Sequence, residues 1–207
     1  MPKVGMEPIR RSALVAAAIE EIGRAGSLDV TVSQIARKAG MSSALAHHYF
    51  GSKDQIFLSA MRAVLAVFGS EVREALRGQV DPRTRVRGVI AASFSPQNFR
   101  PEVISAWLNF YVLALNSPEA LRLLRAYRRR LHSNLMHDLR PLVGKDAAEV
   151  ARGIAAMIDG LYIRQSLRDE TLNGAESVAL VTGYFDQVAG SPAKDTRVDG
   201  GNDARRT

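Results

Sequence analysis

The chain is predicted to be all-α: a small helical head, a larger helical body and a polar tail. Apolar residues recur at helical spacing in segment after segment. Cap and stop residues punctuate those segments, with Thr31, Ser42, Ser52, Asp81-Pro82 and Ser117-Pro118 at starts and Gly40 and Gly78 at ends. A length of 207 residues suits one core-bearing body plus a small head better than two equal domains. The expected division is 1–52 for the head, 53–190 for the body and 191–207 for the tail.

Met1 to Glu7 reads as a short arm containing Lys3. Pro8 opens the first helix, which Ile9, Ala13, Ala16 and Ala17 carry to Gly23 or Ala25. Arg10 and Arg11 sit in its first turn, the unfavourable end for cations, so an anion should offset them, either Glu7 or an external phosphate. Leu28 and Val30 pin the connection that follows. Thr31 and Gln34 form a capping-box pair, and Val32, Ile35 and Ala36 give a short helix that ends on Arg37, Lys38 and the stop Gly40. Ser42 caps a second short helix carrying Leu45, Ala46, His47, His48 and Tyr49.

Ser52 caps the next helix, which runs through Ile56, Phe57, Ala60, Met61, Val64, Leu65, Phe68, Val72 and Leu76 to Gly78. It is long enough to be the strut between head and body. Asp81-Pro82 starts a helix through Val86, Val89, Ile90 and Phe94, and Ser95 to Arg100 reads as a loop. Pro101 opens a helix with Ile104, Trp107, Leu108, Phe110, Tyr111 and Leu115. Ser117-Pro118 opens another, with Leu121, Leu124, Leu131, Leu135 and Leu139 inward and Arg122, Arg125 and Arg129 on a solvated face. Pro141 and Gly144 are expected to break the chain. The stretch from Asp146 to about Arg168 is apolar on more than one face, with Gly153 and Gly160 allowing close helix approach. With a last helix, Ala175 to Val188, it is expected to form a dimer interface. Ser191 to Thr207, polar and rich in Gly and Asp, is expected to be disordered.

Two short helices joined at a glycine make a helix-turn-helix, whose second helix can enter a DNA major groove. No acid lies between Val30 and Lys53, while Arg37, Lys38 and Lys53 do, as a phosphate-backed partner requires. Ser43, Ala44, His47 and Tyr49 are the expected base-facing positions. Thr31, Ser42, Tyr49 and Lys53 are those expected for phosphate, and His48 is expected to pack inward. Spacing alone also describes a helical hairpin whose polar face is merely solvated, as all-helical proteins often contain. The net charge of +7 is spread well beyond the head and supports a nucleic-acid partner only weakly.

In the body, Trp107 and Tyr111 lie one turn apart on a shared face, and Asp159 is a lone carboxylate inside the most apolar helix. An unpaired charge there is costly, so a partner is expected, either an arginine of one or the other subunit or a bound cation. Aromatic faces and a carboxylate are what a quaternary ammonium needs, since it has no N–H to donate. The same pattern describes ordinary core aromatics beside a carboxylate paired within the protein. Tyr162 is a third ring candidate, and Phe94 and Phe99 are weaker ones.

The segment QIARKAG (Gln34–Gly40), followed by HYF (His48–Phe50) and Lys53, resembles the DNA-reading segment of the TetR family of repressors. MPKVGMEPIRR at the start, AWL (Ala106–Leu108), SNL (Ser133–Leu135) and IDGL (Ile158–Leu161) extend the likeness over nearly the whole chain, toward the BetI repressors that sense choline and control its conversion to glycine betaine. The resemblance implies a homodimer on a pseudo-palindromic operator and favours choline as the bound cation, which is expected to sit against Trp107 and Tyr162 near Asp159, with Tyr111 on the Trp107 face. A repressor of other genes with a different small ligand is the alternative. Ala44 and His47 lie where relatives need not match, so the operator does not carry over.

No cofactor is expected. Cysteine is absent, which excludes disulfides and thiolate chemistry. There is no Gly-rich phosphate loop, His-Glu-x-x-His or nucleophile elbow, so an enzyme is not expected. No stretch is expected to span a bilayer, and cytoplasm is the expected compartment.

Overall fold

The computed structural model describes residues 5–167 and 173–190, and all regular structure in them is helical. In chain order the helices are α1 (Met6–Ala25), α2 (Val32–Lys38), α3 (Ser43–Phe50), α4 (Lys53–Leu76), α5 (Pro82–Ser93), α6 (Pro101–Asn116), α7 (Pro118–Val143), α8 (Ala147–Leu167) and α9 (Gly174–Val188). Met1 to Val4, the end of the Asp146–Arg168 segment at Arg168 and the tail from Ser191 lie outside the described residues.

Local chemistry starts most of these helices. Thr31 Oγ1 accepts from the Gln34 N–H at 3.1 Å while Gln34 Oε1 accepts from the Thr31 N–H at 2.7 Å, closing the capping box. Ser42, Ser52, Asp81 and Ser117 each take a free N–H three residues on. Asn173 and Glu176 make a second capping box, which starts α9 at Gly174, one residue before the expected Ala175. Gly26 stops α1 with φ 66°, a left-handed geometry that a side chain disfavours.

Three expectations need correction. Helix α1 begins at Met6 rather than Pro8, which puts Glu7 in its first turn and within 2.7 Å of Arg11. Pro141 does not break α7, which continues to Val143. Proline lacks the N–H that would reach back to His137, but this falls in the last turn, on an exposed face, where water can take the freed carbonyl. Helix α4 is, by length and composition, long and apolar enough to cross a membrane, although half of its most apolar window is buried in the fold.

Helix α1 packs on α2, α4 and α6, and α2, α3 and the start of α4 close the head around Leu14, Ala18, Ile35, Ala46 and Ile56. In the body α5 to α8 pack around Ile90, Phe110, Leu135, Ile154 and Ile158, and α9 lies on α5 and α8. Arg83 and Arg87 of α5 reach Asp186 of α9 at 3.3 and 2.8 Å. Gly153 allows the approach of α9, because a Cβ there would overlap the Tyr184 hydroxyl; at Gly160 a Cβ would meet nothing within 4 Å. Head and body meet where α1 lies on α6. A Cβ on Gly23 would stand 2.5 Å from Glu102 Cα, and Asn109 donates to the Gly26 carbonyl at 3.2 Å.

Candidate nucleic-acid interface and ligand cage

A helix advances about 100° per residue, so the burial of Ala46 fixes the rotation of α3. Ala46 is fully buried, and with it Tyr49, only 9 % exposed, turns inward while Ala44, His47 and His48 face out. Tyr49 is withdrawn from base reading, and His48 is not packed inward. Arg11 holds the inward ring in place: it donates to the Tyr49 carbonyl, and its guanidinium lies 5.2 Å from the Tyr49 and Phe50 ring centroids. With Glu7 beside it at 2.7 Å, Arg11 is engaged within the protein.

The remaining candidates belong to the starts of α2 and α4 and to α3 with its cap. Ser43 Oγ donates to Ser33 Oγ at 2.9 Å, bridging α3 to α2. His47 Nδ1 lies 3.3 Å from the Gly51 carbonyl, which only accepts; in the neutral ring Nδ1 then carries the hydrogen and Nε2 is left as an acceptor. Thr31 and Ser42 are exposed at the starts of α2 and α3, their hydroxyls engaged as caps. Lys53 opens α4, where its ammonium donates to the Leu28 carbonyl at 3.1 Å and lies 5.5 Å from the Phe57 ring centroid. One of its three hydrogens is thus committed and two are left for another acceptor.

The body brings all four ligand-site candidates together. Trp107 and Tyr111 of α6 face one another at 5.7 Å between ring centroids, and Tyr162 of α8 stands edge-on to Trp107 at 6.4 Å. The partner expected for Asp159 was an arginine or a cation. Within the chain the Tyr111 hydroxyl donates to its Oδ1 at 2.8 Å, and the Arg128 charge also acts on it. Burial pushes the Asp159 carboxyl above the ordinary carboxylate range, and the Tyr111 bond and the Arg128 charge only partly offset that. Burial likewise pushes the Tyr111, Tyr127 and Tyr162 hydroxyls upward, so all three stay protonated. Tyr162 donates to the Ser93 carbonyl at 2.5 Å and is further flanked by Phe94 and Phe99.

Two walls were missed from sequence. Tyr127 of α7 lies 4.7 Å from Trp107, between ring centroids, and Phe68 of α4 stands edge-on to Tyr127 at 5.5 Å. Tyr127 follows Leu124 by three residues and precedes Leu131 by four, so the inward stripe of α7 already pointed to it. The rings and Asp159 enclose a cavity of about 10 Å³, room for about one water. Arg128 stands beside this cage, its guanidinium 5.9 Å from the Tyr111 ring centroid. A cationic ligand of any size must spread α6, α7 and α8, and it meets a protein cation on the same ring.

Comparison with known proteins gives the family and the fold. The profile described as bacterial regulatory proteins, tetR family, matches residues 14–60, and that described as BetI-type transcriptional repressor, C-terminal, matches residues 82–190. The HTH-type transcriptional regulator BetI of Brucella anthropi is 51 % identical over 186 residues, 89 % of this chain and 96 % of the relative. That of Agrobacterium fabrum is 52 % identical over 187 residues, 90 % and 91 % of the two chains. Among solved structures, a transcriptional regulator from Saccharomonospora viridis in complex with choline superposes with a TM-score of 0.76 at 24 % identity, over 85 % of this chain and 95 % of that one. A TetR transcription regulator from Haloarcula marismortui gives 0.76 at 19 % identity, over 88 % and 97 %. These relatives are regulators rather than enzymes, and the chain belongs to the BetI-type branch of the TetR family of bacterial transcriptional repressors.

Proposed function

We propose that this chain is a homodimeric cytoplasmic repressor of the genes that convert choline to glycine betaine, with choline as its effector. Residues 1–52 act as the reading head, 53–190 as the effector and dimer body. Outward from α3, Ser43, Ala44 and His47 read bases. Lys53, Thr31 and Ser42 meet phosphate, joined at most by the hydroxyl of Tyr49. The exposed Ile163 of α8 and Leu180 of α9 support a dimer through those helices. A two-fold dimer reads half-sites with centres about 34–36 Å apart or a multiple of it.

One observation carries the switch. Helix α6 lines the cage with Trp107 and Tyr111 and, through Glu102 and Asn109, also carries the end of α1. The cage as it stands holds about one water, so choline binds only a spread conformation and pulls the equilibrium toward it. Spreading moves α6 and, with it, the head. The relative crystallised with choline supports the choice of ligand.

Fluorescence anisotropy with the DNA upstream of the chain's own gene tests this. Binding should be specific over bulk competitor, and choline should change its affinity. A protein that shows no duplex preference, or whose DNA affinity ignores choline at saturation, refutes the proposal.

A further inference from the structure

A second cleft, between α4 and α7, shares only Phe68 and Tyr127 with the cage. Leu65, Phe68, Leu123 and Tyr127 form its apolar floor, and Arg62 and Arg130 stand at its rim. Its volume is about 330 Å³, enough for a small organic molecule. A third guanidinium comes close: Arg73 and Arg130 both reach toward Gly69, within 3.6 and 3.7 Å of where a Cβ there would stand. None of Arg62, Arg73 and Arg130 makes an ion pair among the described residues, whereas Arg77, one turn past Arg73, is paired with Glu74 at 2.9 Å. Three like charges around an apolar floor repel one another, and an anion with an apolar part relieves that repulsion while covering the floor.

We propose that this cleft is a second ligand site, for a small amphipathic anion. A carboxylate or phosphate head lies between Arg62 and Arg130, with Arg73 adding charge, and a short hydrocarbon or aryl part rests on Leu65, Phe68, Leu123 and Tyr127. The site is independent of the choline reading, because it shares none of Trp107, Tyr111 and Asp159. It does share Phe68 and Tyr127 with the cage. These two rings form a common wall, so an anion that fixes them changes the cost of spreading the cage, and by linkage choline changes the affinity for the anion by the same factor.

Calorimetry on the full chain tests the site with octanoate, octyl phosphate and, as an uncharged control, octan-1-ol. Octanoate or octyl phosphate should bind saturably, the tighter of the two identifying the head group, and octan-1-ol should bind at least about tenfold more weakly. Arg62→Gln with Arg130→Gln should weaken the anion by about tenfold or more. Both residues are exposed, so this variant should keep its circular dichroism and its choline affinity. Asp159→Asn should leave the anion affinity within about twofold. Trp107 is the only tryptophan and touches Tyr127, so its emission should change on anion binding. The proposal is overturned if octan-1-ol binds as well as the anions, if the double variant binds them unchanged, or if Asp159→Asn abolishes their binding, which would put them in the cage.

Discussion

Replacing Asp159 by asparagine separates what the carboxylate does for the ligand from what it does for the fold. Asparagine keeps the shape and an oxygen that accepts from the Tyr111 hydroxyl, the bond seen at 2.8 Å; only the charge is lost. A carboxylate about 4 Å from an ammonium contributes about 4 kcal/mol at an effective dielectric near 20. Part of that is offset because burial already disfavours this carboxylate, as its raised pKa shows. A net loss of about 1.5–3 kcal/mol, or about 10- to 150-fold in choline affinity, is therefore expected at neutral pH.

Folding stability should move the other way. Since the folded pKa of Asp159 is raised, the folded state keeps a proton that the unfolded chain has released, and stability falls as pH rises through that interval. Asp159→Asn should remove this contribution to the slope and melt at the same temperature as the parent, or higher, at pH 7.5. Choline affinity of the parent should decline as pH drops below the raised pKa, since a neutral acid attracts no cation. Calorimetry and a pH series of thermal melts check both arms. A variant that binds choline within twofold of the parent, or that loses stability like a core lesion, would refute the assignment.

Lys53→Ala should weaken binding to all duplexes and flatten the dependence of log K on log salt by about 0.9. It should also cost about 1 kcal/mol of stability through the lost bond to Leu28. His47→Ala should instead change sequence preference, and equal losses on specific and random DNA would contradict its base-facing role. Tyr49→Phe should leave base preference unchanged, because that ring faces the head core, whereas Tyr49→Ala should cost about 3 kcal/mol or more in a denaturant titration. Gly23→Ala would stabilise an ordinary exposed helix by about 0.4–1 kcal/mol. Here the new Cβ meets Glu102 backbone, so we expect a loss of about 1–3 kcal/mol and a weaker effect of choline on DNA affinity. A stabilised Gly23→Ala protein would show that α1 and α6 do not bear on one another.

Much of this architecture was legible in the residues alone. Thr31, Ser42, Ser52, Asp81 and Ser117 marked helix starts because a cap hydrogen bond spans three residues, and Trp107 and Tyr111 declared a shared face because they lie one turn apart. Asp159 drew notice because a carboxylate in an apolar helix must find a partner. Tertiary packing decided which groups of the chain it meets: the Tyr111 hydroxyl from α6, with the Arg128 charge acting on it as well. Packing also rotated α3 so that His48 faces out and Tyr49 in, a choice that composition leaves open because both side chains are amphipathic. In the same way it set Tyr127 against Trp107, and the bare backbone of Gly23 against Glu102. Hydrogen bonds within a turn depend only on near neighbours in the chain. The rotation of a helix, and what meets it from another helix, depend on how distant apolar surfaces fill a shared volume, and no local stretch of sequence records that.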